Sequence, residues 1–166
     1  MRTAAKPLRK KVIIGVIGAS NASPHGLDYA YQVGRLIAEN GAVLVCGGLG
    51  GVMEAASRGC VESGGDVLGI LPGSLPGAAN PYVTLPIVTD MGHARNIIIA
   101  QTADALIAIE GEYGTLSEIA ISLKLGKLVV QLDSWPQIVT TARAESPEQA
   151  IEIIFAAIQE GDLADE

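Results

Sequence analysis

The chain has 166 residues, 49% hydrophobic and 17% charged, a balance that builds a packed core and excludes a disordered segment. Its formal charge is −7 and its aromatic content 4%, so it lacks the cations that drive polyanion binding and the rings that stack bases. No run of about 18 apolar residues occurs, so no membrane span is expected, and the charge and scarcity of aromatics argue against a nucleic-acid partner.

The length predicts one domain over residues 1–166. Residues 1–11 are basic and read as an N-terminal arm. The apolar stretch after them, Val12 to Ile17, is too short and too β-branched for a secretory signal. Cys46 and Cys60 are the only cysteines, both in apolar segments. They read as reduced thiols of a cytoplasmic protein, with a disulfide as the alternative.

Val12 to Ile17 reads as a strand covered on both faces. Gly18-Ala19-Ser20-Asn21-Ala22-Ser23 is a small-residue turn, and Leu27, Ala30, Val33, Gly34 and Ile37 then recur at helical spacing up to a cap at Asn40-Gly41. A second strand, Val43 to Cys46, runs into Gly47-Gly48-Leu49-Gly50-Gly51 and a helix through Met53, Ala56 and Cys60. Strand three spans residues 66–71. The Pro/Gly/Asn loop of residues 72–82 is long enough to be functional. A short strand at residues 86–88 and a helix at residues 96–101 follow, then a buried strand at residues 105–109.

That strand runs into Glu110-Gly111-Glu112-Tyr113-Gly114-Thr115-Leu116-Ser117-Glu118 and an apolar-faced helix. A strand, glycine-rich turn and helix in succession point backbone N–H groups and a helix dipole at one spot, which suits an anion. Residues 128–132 form strand six, and residues 138–141 a seventh at an edge. Ser146-Pro147-Glu148 opens a last helix whose apolar face is Ala150, Ile153, Ile154, Ala157 and Ile158, and residues 161–166 form a loose acidic tail.

This alternation implies an α/β fold: a doubly wound, mostly parallel sheet of six to seven strands with helices on both faces. Such sheets bind ligands outside the strand carboxyl ends. The turns after strands one, two and five all lie there.

Three stretches can carry chemistry. Gly111, Gly114 and Thr115 can present donors to a phosphate. Thr115-Leu116-Ser117-Glu118 also fits a capping box, in which Glu118 bonds back to the helix start, so two roles for Glu118 stand open. Gly47, Gly48 and Gly51 allow close backbone approach to a ligand, or simply a tight turn. Arg95, in Met91-Gly92-His93-Ala94-Arg95-Asn96, is an isolated cation suited to bidentate phosphate or carboxylate recognition, or else a surface arginine at a helix start, and Asn96 follows it. Ser20, Asn21 and Ser23 can add polar contacts after strand one beside Gly18, or are ordinary turn formers. His25 and His93 are far apart in sequence and no Cys/His cluster exists, so no protein metal site is expected. No Walker motif, dinucleotide fingerprint or serine nucleophile elbow is present.

Taken together, Gly47-Gly48 with Gly51 and Met53, His93-x-Arg95, and Gly111-x-x-Gly114-Thr115-x-x-Glu118 resemble the Lonely Guy and "possible lysine decarboxylase" superfamily. Length, Arg95-Asn96 and the Gly-Thr-Leu-Ser-Glu run resemble its short branch, the molybdenum cofactor carrier proteins. The resemblance implies a Rossmann-like fold, a homodimer or homotetramer, and a pocket for a nucleotide phosphate or phosphorylated pterin. In the hydrolytic branch it implies cleavage of the N-glycosidic bond of nucleoside 5′-monophosphates. Gly111, Gly114 and Thr115 would then hold phosphate, and Arg95 and Glu118 would serve the ribose and catalysis.

The sequence departs from the hydrolase pattern. Glu110-Gly111-Glu112 replaces Pro-Gly-Gly, and Asn96 replaces the lysine after the arginine. The two acids add charge that repels a bare phosphate. The expectation is therefore a binding protein for a phosphorylated heterocycle. It requires no cofactor and carries the molybdenum cofactor as cargo, or else a nucleotide. A nucleoside-5′-monophosphate phosphoribohydrolase is the alternative. Lysine decarboxylation needs a Schiff-base lysine, and Lys124 and Lys127 read as surface residues at a helix end.

Overall fold

The computed structural model describes residues 10–139 and 141–164. Seven strands, β1 (Ile13–Gly18), β2 (Val43–Cys46), β3 (Val67–Leu71), β4 (Leu85–Val88), β5 (Ala105–Ile109), β6 (Leu128–Leu132) and β7 (Ala142–Arg143), form one sheet. All pairings are parallel, in the order β4-β3-β2-β1-β5-β6-β7. Five helices connect them: α1 (Pro24–Glu39), α2 (Val52–Glu62), α3 (Asn96–Thr102), α4 (Tyr113–Lys124) and α5 (Pro147–Ala164). This is the expected Rossmann-like α/β architecture.

The order follows from burial. β1 and β5 are continuous apolar runs because both of their faces are covered, and they pair at the centre through Ile14↔Ala105 to Gly18↔Ile109. One core layer packs β-strand residues Ile14, Leu44 and Ile107 against Val33, Ile37, Ala56 and Ile154 of α1, α2 and α5. The other packs Ile17, Val45 and Leu106 against Ile99 of α3 and Ile119 of α4. The chain runs outward from β1 to β4, then returns to β5 on the other side. The strand order therefore reverses between β1 and β5, and a doubly wound sheet opens a crevice at the carboxyl ends of those two strands.

Three expectations shift. Residues 138 and 139 are not a strand, and residue 140 lies outside the described residues. The seventh strand is Ala142–Arg143, with Ile138 packed against the second core layer instead. In α5 the buried face is Ala150, Ile151 and Ile154, while Ala157 is exposed, because the sheet selects the stripe centred one residue earlier. That helix runs to Ala164, so the acidic end is helical through residue 164, and residues 165–166 lie outside the described residues. The N-terminal arm lies outside them up to residue 9. Cys46 and Cys60 are both free and buried. No helix among the described residues is long and apolar enough to cross a membrane.

Candidate functional site

A crevice of about 280 Å³ lies at the β1/β5 switch point. Gly18, Ser20 and Asn21 line it from the end of β1, Gly47 and Met53 from β2 and α2, Arg95 and Asn96 from the start of α3, and Gly114, Thr115 and Glu118 from α4. Turns that are far apart in sequence thus meet where parallel strands end. His93, Leu49 and Glu112 also line the crevice.

Gly48, Gly51 and Gly111 do not line it. They shape the turns, each at a positive φ (73°, 65° and 107°). The loop of residues 72–82 is likewise a support. Asn80 donates its backbone N–H to the Gly48 carbonyl (2.8 Å) and its side-chain amide to the Leu49 carbonyl (2.9 Å). Those bonds hold the turn between β2 and α2.

The capping box does not form. α4 begins at Tyr113, with Glu112 as its N-cap in an extended conformation and no side-chain cap bond. The first helical bond runs from Leu116 N–H to the Glu112 carbonyl (2.9 Å). Thr115 is therefore the third helical residue and Glu118 the sixth, too far along to bond back to the helix start. The N–H groups of Tyr113, Gly114 and Thr115 precede the helical bonding pattern and belong to the helix's anion-attracting end. Glu118 is freed for the crevice.

Glu110 also takes a different role from the expected one. Its φ of 51° turns the side chain toward the start of α1, where the carboxylate accepts from the Ser23 N–H (3.0 Å) and the Ser23 hydroxyl. Ser23 in turn caps α1 by accepting from the Gly26 N–H (3.0 Å). The Ser134 hydroxyl donates to the Glu110 carbonyl (2.5 Å). Glu110 is thus a clamp between β5, α1 and the loop after β6. It adds no charge to the crevice lining, whereas Glu112 does.

Arg95 ends a 3₁₀ turn (Gly92–Arg95) and is only 8% exposed. Its Nη1 donates to the Asn96 side-chain carbonyl, and Asn96 Nδ2 donates to the Ser117 hydroxyl (3.1 Å). That hydroxyl donates to the Gly114 carbonyl (2.6 Å), which ties the arginine to the first turn of α4. Arg95 Nε is buried and has no hydrogen-bond partner. A buried, unpaired donor on a guanidinium costs free energy that an anionic ligand recovers. Burial lowers the Arg95 pKa, while Glu118 opposes the shift. Gly47 leaves the room: a Cβ there would lie 2.7 Å from Arg95 Nη2 and 2.8 Å from Met53 Sδ.

Glu118 is 7% exposed. Burial pushes its carboxyl up to about 7, with Arg95 pulling the other way. The two make no ion pair with each other, and both line the crevice. That arrangement can bind an oxyanion, and it can hold or release one proton near neutral pH.

His25 lies away from the crevice, beside Asp133 (3.5 Å) and Tyr29. Lys127 donates to the Gln101 and Ala103 carbonyls at the end of α3, and neither it nor Lys124 lines the crevice. Among the described residues no three His, Cys, Asp or Glu side chains cluster as a metal site. Sequence reasoning gave no signal for Val16, Ile17 or Leu49 as lining residues. They are ordinary strand and turn apolar residues until the sheet order is known.

Comparison with known proteins agrees with this fold. The molybdenum cofactor binding protein of Rippkaea orientalis superposes with a TM-score of 0.86 at 40% identity, covering 90% of this chain and 98% of that one. The Moco carrier protein of Chlamydomonas reinhardtii superposes with a TM-score of 0.84 at 33% identity, over 91% and 99%. A protein of Archaeoglobus fulgidus is 50% identical over 143 residues, 86% of this chain and 93% of that one. The cytokinin riboside 5′-monophosphate phosphoribohydrolase of Rhodococcoides fascians is 40% identical over 119 residues, which are 69% of this chain and 60% of that enzyme. These relatives bear out the Lonely Guy and carrier-protein resemblance. The SLOG cluster4 family model matches residues 11–160, and the chain belongs to that family.

Proposed function

We propose that this protein binds a phosphorylated heterocycle in the β1/β5 crevice and carries it without turnover, in the manner of the molybdenum cofactor carriers it is similar to. One observation carries this reading. Arg95, buried with an unpartnered Nε, is tied through Asn96 and Ser117 to the α4 N-terminus, whose free N–H groups border the same crevice. A guanidinium and a helix terminus aimed at one space favour a phosphate. Gly114 and Thr115 face the phosphate, and the β1 turn residues Ser20 and Asn21 contact the rest of the ligand. Molybdenum cofactor is the cargo supported by the likeness to carrier structures at 40% and 33% identity. Calorimetric titration with purified cofactor and a panel of nucleotides tests this. Binding of one or more of them supports it, and no binding by any phosphorylated ligand ends it.

A second reading rests on Glu118. Released from helix capping, it offers a carboxylate near Arg95 that can stabilise positive charge at an anomeric carbon. The phosphoribohydrolase reading predicts free base from nucleoside 5′-monophosphates, lost in Glu118→Gln. No release from wild type across common monophosphates removes it. The protein acts in the cytoplasm and as a homodimer or homotetramer in this proposal. Exposed Leu85, Ile87 and Val88 on the open edge strand β4 supply apolar surface for self-association.

A further inference from the structure

The crevice is short of positive charge for the ligand it suits. Arg95 is its one permanently charged cation among the described residues, and two carboxylates, Glu112 and Glu118, line it as well. A phosphomonoester brings about 1.5–2 negative charges at neutral pH. Glu118 is buried near Arg95, and burial raises its carboxyl to about 7. Glu112 differs. It is exposed, it sits at the N-cap of α4, and its side chain makes no hydrogen bond or ion pair with another described residue.

As the N-cap residue of α4, Glu112 makes no side-chain bond to the helix's own N–H groups. It stands at the mouth of the crevice beside the donors that a phosphate would use. A carboxylate next to a phosphate is unfavourable unless a cation joins them. Magnesium does so readily, because it is held by one or two carboxylates plus phosphate oxygens and keeps several waters. The described residues hold no cluster of three metal-ligating side chains, so the protein alone does not retain the ion.

We propose that the crevice takes its phosphorylated ligand as the magnesium complex. The Glu112 carboxylate supplies one oxygen to an ion whose other ligands are phosphate oxygens and water. This rests on the phosphate-binding reading above and adds the ion that accompanies the ligand. Glu112 then has two opposite effects. It repels the free dianion and attracts the complex.

The test is titration of the full chain with AMP, with and without millimolar magnesium chloride, in wild type and Glu112→Gln. The exposed, unbonded side chain makes this substitution harmless to folding, which a thermal melt checks. Without magnesium, Glu112→Gln binds AMP about tenfold tighter than wild type, the order expected for a dianion roughly 5 Å from a unit charge in watery surroundings. With magnesium, wild type tightens about tenfold and Glu112→Gln by less than about twofold. Magnesium chloride alone gives no binding heat with either protein. Equal strengthening of both proteins by magnesium, or none in wild type, overturns the proposal. So does an AMP affinity that Glu112→Gln leaves unchanged in magnesium-free buffer. If AMP binds neither protein under any condition, the same titrations with purified molybdenum cofactor decide: no binding of that ligand either ends the phosphate-binding reading, whereas binding that magnesium does not strengthen in wild type overturns this proposal alone.

Discussion

Replacing Glu118 by glutamine should stabilise the protein at alkaline pH and leave it unchanged in acid. The side chain is 7% exposed, and burial raises its carboxyl from an ordinary 4.5 to about 7, with Arg95 partly offsetting the shift. Between those two values the unfolded chain has released its proton while the folded chain keeps it. Stability therefore falls as pH rises across that interval, because the native state binds more protons. Above about 7 both states are ionised and the whole penalty is present. Below about 4.5 both are protonated and it vanishes. A shift from 4.5 to about 7 corresponds to about 3 kcal/mol at 1.36 kcal/mol per unit. The attraction of Arg95 is already contained in that value. For a chain of this size it amounts to roughly 6–12 °C in Tm. Urea unfolding of wild type and Glu118→Gln at pH 4 and pH 8 reads the difference directly. Glutamine should match wild type at pH 4 and exceed it by about 3 kcal/mol at pH 8. A difference that does not change with pH, or a variant less stable than wild type at pH 8, refutes the reasoning.

Two further substitutions separate structural from ligand-facing residues. Gly47→Ala puts a methyl 2.7 Å from Arg95 Nη2 and 2.8 Å from Met53 Sδ. Because both side chains can yield, the fold should survive at a cost of about 1–2 kcal/mol in urea, while calorimetric affinity for a phosphorylated ligand drops about tenfold. Glu110→Ala removes the acceptor of the Ser23 N–H and hydroxyl and should cost about 1–2 kcal/mol in urea unfolding. Glu110→Gly should cost less, since glycine relieves the φ of 51° at the same time. Neither Glu110 variant should change ligand affinity, because its carboxylate is engaged with α1 rather than the crevice.

Much of the architecture was legible because it depends on local pattern. β1 and β5 announce themselves as uninterrupted apolar runs, and the glycine-rich turns that follow the strands mark their carboxyl ends. Most of the crevice lining follows from that placement alone. What was misread depends on distant partners. Thr115 and Glu118 match a capping box in sequence. However, Gly111 at φ 107° and an extended Glu112 start α4 two residues before Thr115. Glu110 looked like a charge beside phosphate because its partner, Ser23, is 87 residues away in the chain. The seventh strand was misplaced because Ile138 and Val139 have the composition of a strand. The pairing that defines one begins at Ala142, opposite Val130. The face of α5 was set by the sheet beneath it, which buries Ile151 in preference to Ala157.

In the proposed function, Arg95 and the α4 terminus hold the phosphate of a bound cofactor. The most direct measurement is the dissociation constant of purified molybdenum cofactor for wild type and for Arg95→Ala. A charge-assisted hydrogen bond from a buried guanidinium contributes about 1.5–3 kcal/mol, so the variant should bind roughly 10–150-fold more weakly while remaining folded. Equal affinity in a folded Arg95→Ala protein would contradict the account.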